Sequence, residues 1–95
     1  MNIGRLKARA HSIRRIARKH GVTRLRVFGS YASGTASSKS DFDLLVDLDP
    51  DRDLLDLIEF KLDLEELLDC KVDVVTEGAL SPYLRDRILR QAAPL

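Results

Sequence analysis

The sequence predicts an α/β (α+β) fold, a small mixed β-sheet with helices packed on one face, and three observations support that reading. Ile3, Leu6, Ala10, Ile13 and Ala17 recur at three- and four-residue spacing, the period of a helix with one apolar stripe. Short segments at 23–28, 41–48 and 71–75 have strand character, and a long helical pattern separates the last two, which is the order of a sheet covered by its own connections. At 95 residues the chain can bury one core, so a single domain over 1–95 is expected.

The elements follow in order. Arginines fill the outer face of the first helix, and Gly21 is its natural stop. Leu25 and Val27 then alternate with arginines, as in a strand half covered by a core. Residues 29–40 are small and poor in apolar bulk, a loop with room for a helical turn. A second strand runs to Leu48 and ends in the turn chemistry of Asp49-Pro50-Asp51. Asp53 is placed to cap the next helix, whose Leu54, Leu57, Ile58, Leu64 and Leu68 are expected to face the core. The β-branched run at 72–75 makes a third strand. Ser81-Pro82 starts a last helix that reaches about Arg90.

Composition removes several function classes. With 44% apolar and 33% charged residues the chain is globular rather than disordered. No apolar run approaches the ~20 residues of a bilayer span, and the N-terminal stretch lacks the apolar centre of a signal peptide, so a cytoplasmic protein without a membrane partner is expected. Cys70 is the single cysteine and is expected to be a buried, inert thiol. His11 and His20 both lie in a basic stretch, which leaves little for a His-based metal site or a Ser-His-Asp triad. Any catalysis must therefore use carboxylates.

The formal net charge of +1 hides a segregation. Residues 1–26 carry nine basic side chains and no acidic one, whereas residues 41–77 carry fourteen Asp and Glu against Arg52, Lys61 and Lys71, a net charge of −11. Such separation suits a chain that handles a polyanion in one place and cations in another. Direct nucleic-acid binding is not expected, because Phe28, Phe42, Phe60, Tyr31 and Tyr83 are too few and scattered for a stacking platform and no finger or helix-turn-helix pattern is present.

The informative stretch is Val27-Phe28-Gly29-Ser30, ten residues of loop, then Asp41-Phe42-Asp43. Asp41 and Asp43 are two apart, so on a strand both leave the same face and repel. A bound divalent cation is the usual remedy, and hard oxygen ligands suit Mg²⁺ or Mn²⁺. Asp73, flanked by Val72 and Val74, has the parity to join them on an open sheet face if the strands are neighbours. Three carboxylates can hold two metal ions that clamp a polyphosphate. Gly29 allows a close backbone approach to a ligand, Ser30 adds a hydroxyl, and Gly34 keeps the loop bare. Tyr31 is read as an anchor from loop to core.

In this order, and followed by Val72-Asp73-Val74, these residues resemble the signature of the DNA polymerase beta-like nucleotidyltransferase superfamily. The short chain resembles its minimal nucleotidyltransferase branch, the MNT antitoxins of HEPN/MNT toxin–antitoxin pairs, over nearly its whole length. The resemblance implies a nucleotidyltransferase fold in which Asp41 and Asp43 are the principal metal ligands, Asp73 is the third carboxylate, and Gly29 and Ser30 hold the triphosphate. It further implies two Mg²⁺ ions, ATP as substrate, and transfer of AMP to a hydroxyl, a tyrosine, of a HEPN ribonuclease toxin. Members often have a basic residue where this chain has Ser33, which implies either a weaker phosphate grip on that loop or a grip supplied by Arg26 or Lys39 instead. The non-enzymatic alternative is an antitoxin that neutralises by binding, with a vestigial nucleotide site.

Overall fold

The computed structural model describes residues 3–37 and 39–95, with side chains from Leu6 onward; the expected core contact of Ile3 lies outside the described side chains. Helix α1 (Ile3–Lys19) leads into β1 (Val22–Phe28), the one-turn α2 (Ser30–Ser33), β2 (Phe42–Leu48), α3 (Leu54–Leu68), β3 (Val72–Thr76), a 3₁₀ turn at Glu77–Ala79, α4 (Pro82–Gln91) and β4 (Ala93–Pro94). The sheet order is β3-β2-β1-β4. β2 runs antiparallel to β1 and parallel to β3, and β4 adds an antiparallel edge to β1. The sheet is therefore mixed.

The parallel pair forms because α3 is the crossover between β2 and β3. Its start is fixed by a capping box: Asp53 Oδ1 accepts from the backbone N–H of Leu55 (3.0 Å) and Asp56 (3.2 Å), and Asp56 Oδ2 accepts from the N–H of Asp53 (3.1 Å). It ends at Asp69, a non-glycine residue in the left-handed region at φ 52°. Gly21 stops α1 with φ 75°, as its position implies. Ser81 caps α4, accepting from the N–H of Tyr83 (3.3 Å), with Pro82 in the first turn.

Strand parity divides the sheet into two faces. Phe42, Leu44 and Val46 of β2, with Val72 of β3, turn to one side and join Leu6, Ile13 and Ala17 of α1 and Phe60, Leu64 and Leu68 of α3 in the core. Asp43, Leu45 and Asp47 turn to the other. Leu45 is fully buried there too, so β2, one of the two inner strands, is covered on both faces at that position. Tyr31 reaches from α2 into the core and meets Phe42 edge to face, ring centroids 5.5 Å apart. The loop-to-core anchor is thus observed.

One expectation needs correction. The α3 residues that face the core are Phe60, Leu64 and Leu68, with Leu57 packed partly against them, whereas Leu54 and Ile58 are 69% and 44% exposed. Their apolar spacing belongs to a second arc of the helix. Beyond the expected elements, Ala93–Pro94 forms a short edge strand paired with Val27 and Arg26, and Arg14 donates to the backbone oxygen of Leu95 (3.2 Å). Two residues are too few to show strand periodicity. Cys70 is half-buried and burial pushes its thiol up, so it stays protonated and unreactive. Among the described residues no helix is long and apolar enough to cross a membrane.

Candidate active site

β1 ends at Phe28, whose register partner on β2 is Asp43, and Asp43 in turn stands opposite Asp73 on β3. One row across three strands thus runs Phe28, Asp43, Asp73 on the sheet face away from α1 and α3. Asp41 lies one residue before β2, exposed, with Oδ2 4.0 Å from Lys71 Nζ. Register sets Asp43 and Asp73 side by side on one face, whereas Asp41, expected on the strand, lies just outside it and acts on Asp43 through its charge.

The charges of Asp73 and Asp41 act on Asp43. Burial first, then the charges of Asp73 and Asp41, push the half-buried Asp43 carboxyl up from its ordinary 3.8 to about 6. Asp73 and Asp41 are exposed and spread their charge into water. Asp43 is thus the carboxylate whose ionised form gains most from a cation, and the hard oxygen donors around it fit a divalent one.

The turn after β1 is built against the same carboxylate. Gly29 has φ 72° and ψ −148°, a region open in practice to glycine alone. A Cβ placed on Gly29 would overlap Oδ2 of Asp43. The backbone therefore passes directly beside the carboxylate, and any side chain would close the gap. The Gly29 carbonyl accepts from Ala32 and Ser33 (both 3.1 Å), folding α2 on top of Tyr31, and Gly34 ends that turn at φ 78°. Ser30 is half-buried at its start. Gly29, Ser30 and Asp43 consequently share one corner of the sheet.

Of the two cations suggested for the phosphates, Arg26 is committed elsewhere. It is 8% exposed, and Nη2 lies 3.8 Å from both Asp47 Oδ1 and Glu77 Oε1. Lys39 is exposed on the loop that leads to Asp41. Ser33, in the place of the basic residue, donates to the carbonyl of Ser30 (3.3 Å) and bonds Thr35 Oγ1 (2.9 Å), stiffening the turn. Sequence reasoning missed Lys71 beside Asp41, which only the pairing of Phe42 with Val72 shows.

Among the described residues, the group of three with ligating atoms within 4.8 Å of one another is His20, Asp56 and Glu59. It lies where α1 meets α3, at the Val22–Leu48 end of the sheet, opposite to Asp43. His20 is buried there with Nε2 2.6 Å from Asp63 Oδ2, and Asp56 is bound by its capping box and by Arg52 (3.2 Å). This cluster joins two helices. Asp41, Asp43 and Asp73 do not close to that spacing; register joins Asp43 to Asp73, and Asp41 reaches Asp43 through its charge.

A mixed sheet that turns a Gly-Ser corner and a row of aspartates to one open face defines a nucleotidyl-transferring class of protein. Residues 11–93 match the nucleotidyltransferase domain family, and the chain belongs to it. Its relatives narrow the branch. A Methanocaldococcus jannaschii protein provisionally named a protein adenylyltransferase is 45% identical over 92 residues, 97% of this chain and 96% of its own length. The protein adenylyltransferase MntA of Thermococcus cleftensis is 40% identical over 73 residues, covering 77% of this chain and 74% of its own. A solved structure described as that of a minimal nucleotidyltransferase superposes with a TM-score of 0.89 at 46% identity, covering 100% of this chain and 97% of that one. A chain of a toxin–antitoxin crystal structure with AMP-PNP superposes at 0.74 with 27% identity over 88% of this chain and 69% of that one.

Proposed function

We propose that the chain is a metal-dependent protein adenylyltransferase and the antitoxin of a pair, transferring AMP from ATP to a hydroxyl, a tyrosine, of a HEPN-class toxin. The carrying observation is Asp43, raised to about 6 by burial and by Asp73 and Asp41 and pressed against a backbone corner, at Gly29, that a side chain would block. The names of the relatives, protein adenylyltransferase in both, and the AMP-PNP of the toxin–antitoxin structure support the same reading.

In this reading Asp41 and Asp43 hold Mg²⁺, with Asp73 as third carboxylate, and two ions are expected. When bound, the cations neutralise carboxylates and phosphates and stabilise charge on the phosphoryl group. Gly29 and Ser30 restrain the β- and γ-phosphates through the backbone and the hydroxyl, and Lys39 supplies positive charge from the exposed loop. Asp73, being exposed, takes the proton of the incoming hydroxyl. That oxygen forms a bond to the α-phosphorus, the bond from the α-phosphorus to the bridging oxygen breaks, and pyrophosphate leaves with the electron pair.

The experiment is to mix the chain, its toxin and Mg·ATP and to follow the toxin's mass. Wild type should add AMP, and Asp43→Ala should add none while keeping its fold. Full rescue of growth by an Asp43→Ala protein that transfers nothing would instead make binding the antitoxin function.

A further inference from the structure

Helix α3 is apolar on two sides. Phe60, Leu64 and Leu68 are buried in the core, while Leu54, Leu55, Ile58 and Leu62 are 69%, 61%, 44% and 56% exposed. At ~100° per residue the latter four fall within an arc of about 100° turned away from the sheet. Scattered exposed leucines are ordinary, but four on successive turns of one helix make a contiguous patch of the kind that marks an interaction surface.

The rim of this patch decides what fits it. Glu59 and Glu66, both exposed, border it on one side, the half-buried Glu65 lies within its other edge, and the half-buried Lys61 closes that edge, so the acids outnumber the one base. Two copies pairing α3 with α3 would set these acids against each other. The outer face of α1 in a second copy has the complementary charge, in Lys7, Arg9, Arg14, Arg15 and Arg18, but none of those positions offers a large apolar group. The complementary surface is a helix that is apolar along its centre and edged with Lys and Arg.

We propose that Leu54, Leu55, Ile58 and Leu62 form the face on which the toxin docks, through an apolar helix edged with basic residues. The proposal rests on the antitoxin reading above. It separates two activities in space. α3 covers the sheet face of Phe42, Leu44 and Val46, whereas Asp43 leaves the opposite face. A toxin held on α3 leaves the carboxylates uncovered, so the hydroxyl that receives AMP must reach round the sheet edge or belong to a second toxin copy.

The test titrates purified toxin, inactivated by substitution, into wild type and into Ile58→Glu/Leu62→Glu. Loss of two central apolar anchors should weaken the complex by about 100-fold, with Tm and Mg·ATP binding unchanged. Glu59→Lys/Glu66→Lys should weaken it as well and flatten its dependence on salt. If the apolar double variant fails to fold, Leu55→Lys gives the same reading. A variant that binds like wild type overturns the docking face and leaves the antitoxin reading standing; absence of binding by wild type overturns both. A wild-type homodimer that Ile58→Glu/Leu62→Glu makes monomeric, with toxin binding intact, assigns the face to a second copy and overturns the proposal.

Discussion

Asp43 and Asp73 occupy the same register position on the parallel pair β2 and β3, so two carboxylates are set side by side by backbone pairing alone. The sheet imposes a repulsion that neither strand carries in isolation.

Without metal, the burial of the Asp43 carboxylate, together with that repulsion, makes the wild-type protein less stable than Asp43→Asn at neutral pH. The folded carboxyl is raised from 3.8 to about 6, so between these values the folded state binds more protons than the unfolded one. The contribution of Asp43 is fully present below about 3.8 and is lost as pH rises through about 6. Its half exposure reduces the effect to about 1 kcal/mol, or ~4–8 °C in Tm for a chain of this size. Melting both proteins in EDTA across pH 4–8 should show the Asn variant gaining on wild type as pH rises; a difference independent of pH would show that the Asp43 carboxyl is not raised by folding.

Mg²⁺ should reverse that order. A cation bound only by the folded state stabilises by about 1.4 kcal/mol at ten times its Kd. Thermal melts should show wild type gaining several degrees with Mg²⁺, and Asp41→Asn/Asp43→Asn gaining none. Equal gains would move the metal to another place on the protein.

Gly29→Ala should fail in both stability and binding. The backbone angles at Gly29 cost a side-chain-bearing residue of order 1–3 kcal/mol, and the added Cβ would displace the Asp43 carboxylate. Calorimetry with Mg·ATP should find binding lost even at a temperature where circular dichroism shows the variant folded. An alanine variant that binds normally would show that the corner does not touch the nucleotide.

Tyr31→Ala tests how the turn is held. Tyr31 is 2% exposed and stacks edge to face on Phe42, so its removal should cost about 3–5 kcal/mol. Urea melts should record that loss. A cost below ~1 kcal/mol would show that the backbone bonds of α2 hold the turn without the ring.

Much of this arrangement was legible in the sequence because it depends on period and parity. Val72 and Val74 forced Asp73 to the other face, Asp41 and Asp43 shared a side by their spacing, and Gly21, Asp53 and Ser81-Pro82 marked helix ends by local chemistry. What was not legible depends on which strands become neighbours. The alternation of β1 implied solvent on the arginine face, yet Arg26 is buried between Asp47 and Glu77, because residues distant in sequence come to lie over it. The outer arc of α3 was misread for a related reason: periodicity reveals apolar arcs but not which of two will meet the sheet.

Helix α4 has no buried residue, although it links β3 at one edge of the sheet to β4 at the other. With so little apolar surface in contact, its amide protons should exchange with solvent by local opening, far faster than those of β2, which are released only by global unfolding. The protein therefore has two tiers of cooperativity. A proteolytic cut within 82–91 would meet little resistance, while the row from Phe28 through Asp43 to Asp73 would persist until the whole domain is lost.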